Sequence, residues 1–246
     1  MKISICMATY NGGKYIREQL ESIFNQEFKE NADVEMEIIV SDDGSTDDTL
    51  QIISEFNDKR IKIYHHNHTN VHKHYKAMFA CTENFANAIS KATGDYIFLS
   101  DQDDVWYPWK IDRTLTVLKE KGGVVAASFE VGDENMNKIG EVKYKIQPFF
   151  TLKFNHPLYG FSCGFSKDEL RYILPMPNIH QYDVFIMLIA IWRKKLYYMD
   201  EFCAMHRWTG VHNLTCDKDT SSNPIHIKLF YRVKMWIMVL WRCLFV

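Results

Sequence analysis

The chain has 246 residues, of which 47% are hydrophobic and 14% aromatic, which is enough for one sizeable α/β domain with a buried core. Its formal net charge of -2 excludes a generic nucleic-acid binder, because contacts with phosphates require a surplus of lysine and arginine. We therefore expect no nucleic-acid partner, and any anionic ligand must be bound by a local cluster of residues.

Short apolar runs rich in β-branched residues alternate with helical patterns in the first half of the chain. The runs predict strands at 3–7, 37–40, 61–64, 96–99 and 124–129. Apolar residues at helical spacing predict one helix at 16–23 and another at 75–89, followed by Gly94 as a stop signal. Strands that alternate with helices form βαβ units, so the pattern predicts an α/β fold with a mostly parallel sheet.

Polar motifs follow three of these strands. The stretch "MATYNGG" comes after the first strand, "SDDGSTDD" after the second and "SDQDD" after the fourth. Ligands of open α/β sheets bind at the carboxyl ends of the strands, so the three motifs are expected to meet in one crevice. From about residue 130 the pattern loosens into predicted hairpin-like segments and loops. A helix at 184–192 and a strand at 196–199 follow.

The third motif places Asp101, Asp103 and Asp104 within four residues after an apolar strand, where ionised carboxylates repel one another unless a positive charge lies nearby. Asp101 and Asp103 form an Asp-x-Asp pair, a composition that suits a hard divalent cation bound to diphosphate oxygens. The alternative interpretation is an acidic turn that is solvated or caps the helix predicted after it.

The second motif offers Asp42 and Asp43 just before a glycine turn, where carboxylates can accept hydrogen bonds from a base or a ribose. The polar residues at 45–48 suit capping of the next helix and its first-turn dipole. The first motif has no GxGxxG fingerprint, which argues against a nicotinamide or flavin enzyme of the Rossmann type.

Three segments in order carry a family resemblance: "SICMATYNGGKYIREQLESIFNQ", "EIIVSDDGSTDDTLQII" and "GDYIFLSDQDDVWYPWKI". Together they resemble the family 2 glycosyltransferases, and "SDQDDVW" is similar to the bacterial rhamnosyltransferase-like branch. The resemblance implies a GT-A fold, Rossmann-like, in one domain at 1–219, with a nucleotide-binding half at 1–129 and an acceptor-side half at 130–219. It also implies a nucleoside diphosphate sugar donor and an inverting reaction, which needs a general base and a metal ion, Mn²⁺ or Mg²⁺.

The resemblance also implies roles for individual residues. Asp101 and Asp103 would hold the donor ribose and the metal ion, and Arg207 and His212 would meet the diphosphate, with His212 as a further metal ligand. The predicted donor contacts are Thr9, Tyr10, Asn11, Asp42 or Asp43, Asp101 and Arg207. Gly164 in "GFSCGFSKDEL" would let the backbone approach the sugars, or would simply serve a turn.

The resemblance implies a general base at Asp183, in "NIHQYDVFIMLIAIW" at the start of a helix. The alternative is that this carboxylate only favours the helix N-terminus, with Asp200 and Glu201 as fallback bases. The histidines in "YHHNHTNVHKHY" match no tetrahedral zinc spacing, so a solvated loop is expected there.

The last residues, 220–246, are expected to form a basic amphipathic helix. Basic side chains lie among aromatic and aliphatic ones in "IKLFYRVKMWIMVLWRCLFV", and the longest uncharged stretch there, 235–241, is too short to span a bilayer. The segment would lie on a membrane of anionic lipids or dock on the domain. The first residues lack the pattern of a signal peptide, and the scattered cysteines favour reduced thiols, so a cytoplasmic location at the inner face of the cell membrane is expected.

These observations predict a metal-dependent inverting glycosyltransferase of bacterial surface polysaccharide synthesis, acting on a saccharide or lipid-linked saccharide acceptor. One rival is a sugar nucleotidyltransferase, for which a basic triphosphate loop after the first strand is expected, whereas "TYNGGKY" contains only Lys14. The other rival is a non-catalytic scaffold that binds sugar nucleotides or membranes.

Overall fold

A computed structural model describes residues 1–67, 74–144, 158–209 and 223–246. These residues form one nine-stranded sheet. The strands are β1 Lys2–Thr9, β2 Glu35–Asp42, β3 Ile61–His65, β4 Tyr96–Ser100, β5 Val105–Trp106, β6 Val124–Gly132, β7 Lys138–Val142, β8 Cys163–Ser166 and β9 Leu196–Arg207. The helices are α1 Ile16–Phe24, α2 Thr49–Glu55, α3 Lys76–Ser90, α4 Lys110–Lys121, α5 Leu170–Ile173, α6 Tyr182–Trp192 and α7 Ile225–Phe245.

The first four strands form the parallel half of the sheet that the sequence predicts. Their order is β3-β2-β1-β4, and each neighbouring pair is parallel. The register pairs Thr9 with Asp42 and Met7 with Ser100, so β1, β2 and β4 end at the same edge. This edge carries all three polar motifs, and we call it the carboxyl edge.

The second half of the sheet continues as β8-β6-β9-β5 and mixes strand directions. Strand β8 is antiparallel to both β4 and β6, and the hairpin expected after residue 130 is formed by β6 and β7. Gly164 lies in β8 rather than at a turn, opposite Phe98 of β4, and its expected approach to the sugars stays a prediction. A Cβ atom at this position would come within 3.0 Å of the Phe98 ring and 3.1 Å of Thr114, so close packing explains the glycine.

Strand β9 is three times as long as the strand predicted at 196–199. It continues to Arg207 and pairs in parallel with β6. The pairing register between β9 and β6 shifts at two places, one on each side of Ser128 in β6. Strand β9 then continues beyond the ends of the parallel strands. This extension brings His206 and Arg207 to the carboxyl edge.

Both faces of the central strands are apolar because helices cover both faces. On one side α1 and α4 pack over residues such as Ile5, and on the other side α3 and α6 pack over residues such as Cys6. The cysteines of the described ranges are all free thiols, as the sequence predicts.

Helix α7 packs against α6 through Met235 and Val239, whose side chains are buried. Its opposite side leaves large apolar residues exposed. Within the described residues, the structure has no helix that is both long and apolar enough to cross a bilayer.

Candidate active site

The turn after β1 is held by side chains from the second motif. Asn11 adopts a left-handed backbone conformation, with φ of 48°, and its Oδ1 accepts a hydrogen bond from the backbone N of Thr46 at 2.9 Å. The backbone N of Asn11 donates to Ser45 Oγ at 2.9 Å. The Thr9 side chain is buried, whereas Tyr10 is 55% exposed. Of these three predicted donor contacts, Tyr10 and Asn11 are therefore exposed and Thr9 is not.

The two carboxylates that follow β2 have different surroundings. Asp42 is fully buried, and its Oδ1 accepts hydrogen bonds from Thr9 Oγ1 at 2.9 Å and Ser45 Oγ at 2.5 Å. Its Oδ2 accepts from the backbone N atoms of Gly44 at 3.1 Å and Ser45 at 2.9 Å. These four hydrogen bonds fill the acceptor positions of Asp42, so this carboxylate organises the loop. Asp43, the next residue, is 8% exposed.

Gln102, between the two predicted metal ligands, ties the first and third motifs together. The backbone N of Tyr10 donates to Gln102 Oε1 at 2.9 Å, and Gln102 Nε2 donates to the backbone O of Tyr10 at 3.1 Å. A Cβ atom at Gly12 would lie 2.2 Å from Gln102 Oε1, so a larger residue there would displace the Gln102 side chain. The sequence pattern alone gives Gln102 no role beyond its place in "DQD".

Asp101 and Asp103 lie partly buried after β4. Burial, together with the nearby charges of Asp104 and Asp103, raises the pKa of Asp101 well above its usual value. Burial and the Asp104 carboxylate likewise raise the pKa of Asp103 to about 7. The carboxylates are therefore brought together, as the sequence predicts, at an electrostatic cost that a bound cation would relieve.

Asp104 and His206 form a buried pair beneath these carboxylates. Asp104 Oδ1 lies 2.7 Å from His206 Nδ1 and accepts a hydrogen bond from the backbone N of Arg207 at 3.2 Å. Burial opposes protonation of His206, but the Asp104 carboxylate outweighs it and raises the pKa of His206 to about 9. Protonated His206 thus places one positive charge behind the acidic motif. This charge offsets part of the rise in the pKa values of Asp101 and Asp103. The sequence pattern did not indicate this pair, because the strand predicted at 196–199 ends before His206.

Arg207 lies behind Asp103, with its guanidinium almost completely buried. Its Nε donates to the backbone O of Asp103 at 3.0 Å, and its Nη atoms bind Glu18 and the backbone O of Glu134. The guanidinium also lies over the ring of Tyr15, 4.5 Å from its centroid. Arg207 therefore braces the acidic loop in this structure.

Arg207 also lines a cavity of about 300 Å³ on this side of the acidic loop. The wall consists of the start of α1, the tip of the β6–β7 hairpin and the end of β9. Its lining residues are Lys14, Tyr15, Glu18, Glu134, Asn135, Met136 and Arg207.

Asp183 lies in the first turn of α6, and its side chain is close enough to the acidic motif to raise the pKa of Asp101. Burial raises the pKa of Asp183 itself to about 6. The backbone N of Val184 donates to Asp183 Oδ1 at 2.8 Å. The Asp183 carboxylate therefore also interacts with the N-terminus of α6, as the alternative interpretation expects. Asp200 and Glu201, the fallback bases, lie on β9, and Glu201 is 3.7 Å from Arg113.

Cys81 on α3 marks the point where the carboxylates meet. Burial raises the pKa of its thiol, and the charges of four aspartates raise it further: Asp101, Asp183, Asp43 and Asp103. The carboxyl edge of the sheet and the start of α6 therefore converge on one acidic crevice. Nothing in the sequence pattern had singled out Cys81.

The residues at this crevice fit a divalent cation in their chemistry. No side chain in the described ranges donates a hydrogen bond to the carboxylates of Asp101 or Asp103, so both retain acceptor capacity for a hard cation. The described residues gather no group of three or more histidine, cysteine or acidic ligands. His212, the third predicted ligand, lies outside the described residues, as do His68 and His72 of the histidine-rich stretch.

The sequence matches the model of glycosyl transferase family 2 over residues 4–170, which is more than half of the chain. The chain belongs to glycosyl transferase family 2. Among characterised relatives, the dTDP-rhamnosyl transferase RfbG of Shigella flexneri is 38% identical over 115 residues, covering 46% of this chain and 36% of that protein. This family 2 chain spans 25% to 40% of the length of the first curated relatives it matches.

Solved structures agree with the fold. S. aureus TarS 1-349 in complex with UDP-GlcNAc superposes with a TM-score of 0.69 at 18% identity, covering 98% of this chain and 67% of that one. The mannosyltransferase PcManGT from Pyrobaculum calidifontis, in complex with GDP-Man and Mn²⁺, gives a TM-score of 0.56 at 15% identity, covering 96% and 62%. The GT-A fold expected from the sequence is thus confirmed for this family 2 chain.

Proposed function

We propose that this chain transfers a sugar from a nucleoside diphosphate donor to a saccharide or lipid-linked saccharide acceptor in the assembly of a bacterial surface polysaccharide. The observation that carries the proposal is that β1, β2 and β4 end at one edge, which brings the second and third motifs together, with Asp183 of α6 close enough to raise the pKa of Asp101. The second and third motifs lie within the region matched by the family model. Residues 1–129 would form the donor half, residues 130–219 the acceptor half and residues 220–246 a tail whose helix α7 packs on α6.

In the donor half, Tyr10 offers an exposed ring for the nucleoside, and Asp43 is our choice over Asp42 for the base or ribose. Asp42, Thr9 and Asn11 act on the donor indirectly, because their side chains hold the loops around it. Asp101 and Asp103 would hold Mn²⁺ or Mg²⁺, which when bound neutralises charge on the departing diphosphate.

Asp183 is proposed as the general base. Its carboxylate takes the proton from the acceptor hydroxyl while that oxygen forms a bond to the anomeric carbon, and the nucleoside diphosphate leaves with the electrons of the broken bond. Attack from the face opposite the leaving group inverts the anomeric centre. A pKa of about 6 leaves Asp183 largely ionised at neutral pH and still basic enough to accept a proton.

The test is a panel of donors that the relatives' names suggest: dTDP-rhamnose, UDP-GlcNAc and GDP-mannose. We expect one of them to release its nucleoside diphosphate, with water in place of the acceptor, only when Mn²⁺ or Mg²⁺ is present. The matching nucleoside diphosphate should raise the melting temperature in the presence of the metal ion and not in its absence.

The matched variants for this test are Asp103→Asn and Asp33→Asn, the second at an exposed loop position. Asp103→Asn should abolish the metal-dependent shift in melting temperature, and Asp33→Asn should keep it. A metal-dependent shift of normal size in Asp103→Asn would refute the proposed metal site. Binding without turnover of any donor would favour the scaffold alternative.

We also propose that α7 contacts the cytoplasmic face of the cell membrane. Its outward side carries an apolar stripe, with exposed fractions of 61% for Leu229, 58% for Ile237 and 52% for Trp241. The exposed Lys228 and Arg232 lie on the same helix and suit anionic headgroups. Such a contact would bring the crevice close to a lipid-linked acceptor.

The membrane proposal is tested with the double variant Leu229→Gln and Ile237→Gln. It should reduce sedimentation with phosphatidylglycerol vesicles while leaving the binding of nucleoside diphosphate unchanged. Equal sedimentation of variant and parent, or no preference of the parent for phosphatidylglycerol over phosphatidylcholine vesicles, would contradict it.

A further inference from the structure

The segment 174–181 joins α5 to α6 and leads directly into Asp183. It forms neither helix nor strand, so its own backbone hydrogen bonds do not fix its path. Asp183 is in the first turn of α6, and the position of its carboxylate therefore depends on how this connecting segment is held. Both ends of the segment contact the same element, helix α7.

Arg242 of α7 holds the first end. Its side chain is buried, with 7% of the residue exposed, although arginine usually lies at the surface. Nη1 donates to the backbone O of Leu174 at 2.9 Å, and Nη2 donates to the backbone O of Pro175. One guanidinium thus satisfies two consecutive carbonyl groups, in a planar geometry that an ammonium group does not reproduce.

Tyr231 of α7 holds the other end. Its ring lies 5.2 Å from the ring of His180, three residues before Asp183, and makes edge contacts with Tyr75 at 5.3 Å and Phe79 at 5.7 Å. His180 also packs on Tyr75 at 4.5 Å. The four rings form a cluster that joins α7, α3 and the connecting segment.

The backbone of α7 between these two contacts is anchored as well. Met235 and Val239, which lie between Tyr231 and Arg242, are 3% and 0% exposed and pack toward α6. The helix therefore contacts the base-bearing helix and both ends of the segment that precedes it. A displacement of α7 would be transmitted to Asp183 by direct packing.

We infer that the inward face of α7 positions the proposed base, with Arg242 and Tyr231 as positioning residues that act on Asp183 through the connecting segment. This inference rests on the proposed function, because it assigns Asp183 the proton transfer. It gives α7 a positioning role that is independent of any membrane contact by its outward face. A shift of about 1 Å in a reacting group can cost about a hundredfold in rate, so small losses of packing here are measurable.

The test measures donor hydrolysis by Arg242→Ala and Tyr231→Ala, with the active donor of the panel and without lipid. We expect kcat to fall by about tenfold or more while the KM for the donor changes less than about twofold. Tyr231→Phe keeps the ring contacts and should restore normal turnover. Arg171→Ala removes an exposed arginine just before the connecting segment and is the matched control.

A double-variant cycle separates positioning from general support of the fold. In an Asp183→Asn background, Arg242→Ala and Tyr231→Ala should cause no further loss, because the group they position is absent. Equal losses in both backgrounds, or loss of nucleoside diphosphate binding by both alanine variants, would overturn the inference in favour of a purely structural helix. Normal turnover by Asp183→Asn alone would refute the base assignment, whereas a strong loss there with normal Arg242→Ala would refute only the positioning role.

Discussion

Carboxylates occur at both edges of the parallel strands, and Glu37 at the amino edge contrasts with Asp101, Asp103 and Asp183 at the carboxyl edge. Glu37 at the amino edge of β2 is 3% exposed and accepts hydrogen bonds from Ser4 at 2.6 Å and Thr93 Oγ1 at 2.7 Å. Its other oxygen lies 2.8 Å from Lys62 Nζ and 2.9 Å from Lys2 Nζ. Burial opposes its ionisation, yet these partners hold the pKa of Glu37 well below its usual range.

The carboxyl edge shows the reverse. Burial and neighbouring carboxylates raise the pKa values of Asp101 and Asp103, and burial also raises that of Asp183. A fully paired carboxylate stabilises the fold and has no capacity left for a ligand. A carboxylate with few internal donors costs stability, and it keeps some of that capacity for a metal ion or a proton. Buried carboxylates therefore serve stability in the case of Glu37 and, in our proposal, chemistry in the case of Asp101, Asp103 and Asp183.

The largest expected effect is on turnover, from Asp183→Asn. Donor hydrolysis should fall by about a hundredfold or more with nearly unchanged affinity for nucleoside diphosphate, because the base acts only as the acceptor oxygen attacks. The pKa of about 6 gives the sign of the pH dependence: parental turnover should rise with pH through about 6, as the carboxylate form becomes populated. Near-normal turnover in the variant, with loss in Asp200→Asn or Glu201→Gln, would relocate the base.

The second effect is on stability, from Glu37→Gln. The variant should lose about 2–3 kcal/mol of unfolding free energy at pH 7, because it weakens charged hydrogen bonds to a buried group. The folded-state pKa is lowered, so this contribution is complete above the unfolded value of about 4.3 and is lost as the pH falls below it. Urea unfolding should show a smaller difference in unfolding free energy between parent and variant at pH 3.5 than at pH 7.

Glu35→Gln is the control for this prediction, since Glu35 is exposed two residues earlier on the same strand. It should change the unfolding free energy by less than about 0.5 kcal/mol. Equal effects of the two substitutions would mean that the amino-edge network adds no specific stability.

A smaller effect of opposite sign is expected for Asp103→Asn in the presence of EDTA. Removing one of several neighbouring negative charges should raise the unfolding free energy by no more than about 1 kcal/mol, because the carboxylate is partly solvated. Chemical denaturation at pH 8 measures it, with Asp33→Asn as the reference. A clear loss of stability would show that Asp103 supports the fold as Glu37 does.

An effect of similar size should come from Gln102→Ala, which removes both hydrogen bonds between Gln102 and the backbone of Tyr10. We expect a loss of about 1 kcal/mol in stability and a several-fold weaker binding of nucleoside diphosphate, measured by titration calorimetry. Unchanged affinity would show that the first and third motifs keep their geometry without this contact.

The amino-acid sequence alone determined the parallel half of the fold and the place of the crevice. Alternating strand and helix patterns are local, and each strand of that half pairs with a neighbour that βαβ connections dictate, so the motifs after β1, β2 and β4 had to meet. The acidic residues at 101–104 could be assigned to this crevice from the sequence, because they follow directly after one of these predicted strands.

Tertiary structure alone decided which of these residues are committed to other contacts. Asp42 and Asp43 are adjacent in the chain, but only the folded structure shows that the carboxylate oxygens of Asp42 accept hydrogen bonds from Thr9, Gly44 and Ser45. The charged His206 beside Asp104, the bracing Arg207 and the clamp of α7 on the segment before Asp183 all join residues far apart in sequence. Local patterns carry no information about such pairings, because burial and charge at a site arise from every element that packs around it.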